Sequence, residues 1–116
     1  MTTRPEADSM DIQSNKGWYL RPSRGETQTF TAESNGLIVD KRGFGLVELG
    51  SAAAFGTMTF KVGHLADLSD GFIIDGLSMD LTTVNKSQQT DGLACYPYFQ
   101  PISDGTPTGD LLISLT

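Results

Sequence analysis

The chain has 116 residues, enough for one hydrophobic core, which serves about 100 to 200 residues in an ordinary domain. Eight basic against fourteen acidic residues leave a net charge of −6, which argues against a function founded on gathering phosphates, so no nucleic acid partner is expected. One histidine and one cysteine supply neither a disulfide framework nor a zinc site of clustered thiolates and imidazoles, and no metal or other cofactor is expected.

Residues 1–15 hold few large apolar side chains and many polar ones, with Pro5 near the start, and read as a flexible N-terminal arm. They lack the apolar stretch of about 7 to 15 residues that a secretory signal needs, and nowhere do about 18 continuous apolar residues suggest a membrane span. A soluble chain made in the cytoplasm, with no membrane partner, is the expectation. The folded domain is expected over residues 16–116.

Within that domain glycine and proline recur too often for a long amphipathic helix, and short strand-like segments follow one another. Gly17-Trp18-Tyr19-Leu20 is aromatic and stops at Pro22. Residues 27–31 are rich in β-branched threonine, and Leu37-Ile38-Val39 follows Asn35-Gly36, a strong hairpin dipeptide. Residues 45–49 come next. Ser51-Ala52-Ala53-Ala54-Phe55 could form one helical turn, but five residues are too few for independent stability, so a packed connection is expected. In residues 57–62, Met58, Phe60 and Val62 share one face and Thr57, Thr59 and Lys61 the other. Residues 72–74, 78–84, 94–99 and 110–115 complete the set, the last with Leu111, Ile113 and Leu115 facing one way. Eight or nine short strands at this spacing predict an all-β fold: a single antiparallel β-sandwich or small barrel, jelly-roll-like, of about eight strands.

Charge is unevenly spread. Residues 1–58 hold six basic and seven acidic side chains, whereas residues 59–116 hold two basic ones against seven aspartates. Four of those aspartates precede glycine, at Asp70-Gly71, Asp75-Gly76, Asp91-Gly92 and Asp104-Gly105, which is the chemistry of tight connections. Arg21, Arg24, Lys41 and Arg42 could meet at one end of the sandwich, either as solvated loop charge or as a docking patch for an acidic protein.

Catalytic constellations are poorly supplied. His64 is the sole candidate base, and its neighbours Asp67, Ser69 and Asp70 are only close along the chain; a dyad with Cys95 is conceivable across a sandwich. Cys95, among apolar neighbours, is expected to be a small buried hydrophobe. Gly43-Phe44-Gly45 lacks the remaining glycine and the Lys-Ser or Lys-Thr of a phosphate loop. In Tyr96-Pro97-Tyr98-Phe99 alternation sends both tyrosines to one face and Phe99 to the other, with core packing the default. No enzyme is expected.

The run Thr57-Met58-Thr59-Phe60-Lys61-Val62, then Asp70-Gly71-Phe72, Asp75-Gly76 and Asp110-Leu111-Leu112-Ile113-Ser114, resembles small β-sandwich structural proteins of tailed bacteriophage particles, capsid decoration or cement proteins above all. The resemblance covers about residues 55–116; similar proteins often carry arginine in the last strand, and this chain has none there. It implies a virion protein on the capsid surface that bridges and stabilises major capsid subunits, commonly as a homotrimer. The arm would then dock on the major capsid protein, with Arg4, Lys16, Trp18, Arg21, Arg24 and Arg42 as the contact candidates. A phage tail or baseplate component and a carbohydrate-binding sandwich, with calcium held by some of Asp67, Asp70 and Asp75, are the alternatives.

Overall fold

The period-two pattern of the sequence becomes a buried and a wetter face. In β4 (Gly56–Gly63) Met58, Phe60 and Val62 are fully buried while Thr57, Thr59 and Lys61 are half-buried; in β9 (Thr108–Leu115) Leu111, Ile113 and Leu115 point inward. The computed structural model describes residues 23–116, and seven further strands lie among them. These are β1 (Arg24–Thr31), β2 (Val39–Asp40), β3 (Val47–Ser51), β5 (Phe72–Ile73), β6 (Met79–Leu81), β7 (Lys86–Thr90) and β8 (Tyr98–Ser103). The strand expected at residues 17–20 and the arm at residues 1–15 lie outside the described residues.

Two antiparallel sheets face each other, so the fold is a β-sandwich. One has the order β1-β9-β3-β7; in the other, β2-β8-β4, both β5 and β6 pair with the outer edge of β4. Every connection crosses between the sheets except β4–β5 and β5–β6. The core lies between them, with Phe30 edge-on to Phe55 at 5.0 Å and Phe60 edge-on to Phe99 at 5.7 Å.

Two glutamines close the lateral seams where the sheets approach without sharing a ladder. Gln28 of β1 is buried; its Oε1 accepts the Leu37 N–H at 2.8 Å and its Nε2 donates to the Leu37 carbonyl at 3.0 Å, so one side chain stands in for a strand neighbour beside β2. At the opposite seam Gln88 of β7 accepts the backbone N–H of Asp80 in β6 at 3.1 Å, and Lys86 reaches the Asp80 carboxylate at 3.0 Å.

Several expectations are corrected. Asn35-Gly36 does not make a hairpin, because β1 pairs with β9 and β2 with β8; the chain crosses sheets there, and the positive φ of 69° falls on Ala32. All four Asp-Gly pairs do lie in connections, but only Gly76 among their glycines takes a positive φ, of 80°. The strand expected at residues 94–99 begins at Tyr98, because residues 92–95 form turns closed by bonds from Ala94 N to Asp91 O and from Tyr96 N to Leu93 O. Leu93 fills the buried place in that turn, and Cys95 is exposed, contrary to its expected burial. The segment 51–55 is a packed connection, as its length suggested, with Phe55 buried and the Ser51 hydroxyl accepting the Ala53 N–H.

Candidate functional site

The ladders fix which loops share an end of the sandwich. Arg24 is opposite Leu115, Leu115 opposite Val47 and Val47 opposite Thr90 in one sheet, while Asp40 and Gly63 both face Tyr98 in the other. The start of β1 therefore gathers at one pole with the β2–β3, β4–β5 and β7–β8 connections.

Asp40 organises this pole. Its carboxylate accepts Arg42 Nη2 at 2.7 Å and Nε at 3.0 Å, and the backbone N–H of Arg42 at 3.1 Å. Those bonds hold the Asp40 carboxyl below the usual carboxylate range and push the Arg42 guanidinium up. Arg42 also lies over the Tyr98 ring, 5.5 Å from its centroid. Arg24, on the other sheet, donates to the Asp40 backbone oxygen, lies 5.6 Å from the Phe44 centroid and approaches Glu26 at 4.0 Å. Exposed pairs of this kind are screened by water and contribute little net stability, so they set loop geometry more than stability.

Lys41, between those two charged neighbours, is buried at 2% exposure. Its backbone N–H donates to the Pro97 carbonyl at 2.9 Å, fixing the β2–β3 connection against the β7–β8 connection, and its Nζ donates to the Phe44 carbonyl at 2.9 Å. Burial pushes its ammonium pKa down.

Beside this cluster Tyr96 meets the His64 ring at 5.7 Å and the half-exposed Phe72 at 5.6 Å, both edge-on. His64 lies in the β4–β5 connection, where Asp70 caps the backbone: its carboxylate accepts the N–H groups of His64 at 3.0 Å and Leu65 at 3.2 Å. Asp67 likewise accepts the Ser69 N–H at 3.0 Å. These bonds lower both aspartate pKa values. Two of the three carboxylates considered for calcium, Asp67 and Asp70, are therefore engaged with their own loop, and no three His, Cys, Asp or Glu side chains among the described residues converge on a metal position.

Of the six contact candidates, Arg4, Lys16, Trp18 and Arg21 lie outside the described residues. Arg24 and Arg42 are brought together, but their charges are answered by Glu26 and Asp40. Sequence reasoning missed Asp40, whose adjacency to Lys41-Arg42 was the available signal, and the burial of Lys41, for which the sequence carried none.

No family model matches the sequence, and no curated protein matches it. Among solved structures the fold is similar to that of the SPBc2 prophage-derived protein YomS, with a TM-score of 0.51 at 13% identity over 84% of this chain and 96% of that one. At this identity the likeness establishes a shared sandwich fold.

Proposed function

We propose that the chain is a structural protein of a bacteriophage particle that decorates and stabilises the capsid by bridging major capsid subunits from its outer surface, as a homotrimer. The observation that carries the reading is the fold shared with a prophage-derived protein over nearly the full length of both chains. The chemistry of the described pole supports it: its charged and aromatic side chains bind one another, and His64 meets Tyr96 edge-on. The reading assigns surface contact and no catalysis.

The test is electron cryomicroscopy of intact particles of the phage that encodes the chain. Density for the nine-stranded sandwich at local threefold positions outside the shell is the expected result. The same sandwich in the tail or baseplate would overturn the capsid assignment while keeping the structural role, and absence from purified particles would overturn both. For the arm, loss of binding to expanded capsids on deletion of residues 1–15 is expected; unchanged binding would remove Arg4 from the contact set.

A further inference from the structure

Lysine is almost never fully buried unless it is paired with an acid, and Lys41 breaks that rule. An ammonium has three N–H donors. One bonds the Phe44 carbonyl, and the other two find no acceptor among the described residues. The nearest carboxylate in sequence, Asp40, is engaged by Arg42. Lys41 lies in the wall of an open groove of about 250 Å³, bounded by residues 41–44 of the β2–β3 connection and residues 94–97 of the β7–β8 connection. Neither wall contains an acidic residue, in a chain whose net charge is −6.

We propose that this groove binds the side-chain carboxylate of an aspartate or glutamate presented by a protein partner, with the Lys41 ammonium as its counter-charge. Arg42 borders the groove with its own charge already answered, so one positive charge is on offer, and it matches a monoanion better than a phosphate dianion. The groove is open and formed by two short loop segments, so it can take a single group carried by a larger body but cannot enclose a metabolite. The site belongs to the isolated chain and does not rest on the particle assignment.

Cys95, the chain's single cysteine, is exposed on the wall facing Lys41 and gives a built-in reporter. The native chain is alkylated with iodoacetate, which carries a carboxylate, and with neutral iodoacetamide, and the rates are read by mass spectrometry. The reference is the rate ratio in the urea-unfolded chain. A net charge of −6 should disfavour the anionic reagent. The proposal instead expects the iodoacetate-to-iodoacetamide ratio to rise at least about threefold on folding, and Lys41→Met to abolish that rise. N-acetylglutamate amide, which presents a side-chain carboxylate between blocked ends, should slow the iodoacetate reaction. A native ratio at or below the unfolded reference overturns the site without recourse to any variant. A preference that survives Lys41→Met overturns the role of Lys41. Protection by free acetate but not by the capped glutamate overturns the protein partner.

Discussion

The seam between β1 and β2 can be tested at Gly36. A Cβ built there would lie 2.6 Å from Gln28 Oε1, 2.8 Å from Pro101 Cγ and 3.0 Å from Phe30 Cζ. The backbone cannot retreat, because Gly36 N–H donates to the Pro101 carbonyl at 2.8 Å and its carbonyl accepts Gln100 Nε2 at 2.7 Å. Pro101 and Phe30 are buried, so Gln28 is the group that must yield, at the cost of its two bonds to Leu37. Losing two hydrogen bonds costs about 1 to 3 kcal/mol, and the residual crowding adds roughly 1 kcal/mol. Gly36→Ala is therefore expected to cost about 2 to 4 kcal/mol, or roughly 10 to 30 °C in Tm for a domain of this size. Urea unfolding followed by circular dichroism measures it. The reasoning also predicts coupling: with Gln28→Ala in place the main obstacle is gone, and the added cost of Gly36→Ala should fall by at least about 1 kcal/mol. A single variant within about 0.5 kcal/mol of the parent, or a strictly additive cycle, would refute the seam as described.

Three further outcomes follow from the charged groups. Burial lowers the Lys41 pKa below its unfolded value of about 10.4, so between the two the unfolded chain binds more protons and stability rises with pH; Lys41→Met should flatten that alkaline rise and leave stability at pH 7 level or about 1 kcal/mol higher, and a loss of several kcal/mol would contradict the desolvation argument. Asp40, Asp67, Asp70 and Asp80 all have lowered pKa values, so their stabilisation is present above about pH 4 and disappears as pH falls through the lower folded values; Asp70→Asn should shallow this acid branch in urea midpoints taken from about pH 2 to 5, and a curve parallel to the parent would count against the cap on His64 and Leu65. Arg42→Gln should raise the Asp40 pKa toward the ordinary carboxylate range in a carboxyl carbon NMR titration while leaving stability little changed, and an unmoved titration would show that Arg42 is not its main partner.

The strands legible in the sequence were those with one fully buried face. Met58, Phe60 and Val62 in β4, like Leu111, Ile113 and Leu115 in β9, alternate with polar residues because each strand lies in the middle of a sheet against the core. The polar strand β7, Lys-Ser-Gln-Gln-Thr, escaped notice for the converse reason: it is a sheet edge with only half-buried inward positions, one of them Gln88, whose task is to bond Asp80. Local turn grammar misled at Asn35-Gly36, where glycine is required by the approach of Gln28 and Pro101 from two other strands. The convergence of Arg24 and Arg42 on Asp40 is a product of sheet-to-sheet packing, which adjacency along the chain does not record. The burial of Lys41 ran against the ordinary preference of lysine for solvent, so no pattern pointed to it.

The placement of charge bears directly on how such a domain would meet a partner. Residues 23–116 contain five basic and eleven acidic side chains, so they carry the whole net charge of −6, while residues 1–22 hold three of each sign. Three of those acids are held in ion pairs by Arg24, Arg42 and Lys86, which leaves eight without a cationic partner among the described residues. A partner approaching the domain therefore meets a predominantly negative surface, in which the two basic residues outside those ion pairs are Lys61, half-buried in β4, and Lys41, recessed in its groove. Exposed carboxylates act over about a Debye length, roughly 8 Å at physiological salt, and can attract a basic surface without fixing its orientation. The recessed ammonium would act at contact range and donate to a single acidic side chain. On the structural role proposed for the chain, the acidic face would govern the rate and salt dependence of association and the Lys41 groove its register. Added salt should then slow binding of the parent and the Lys41→Met variant alike, whereas the variant should dissociate faster at every salt concentration.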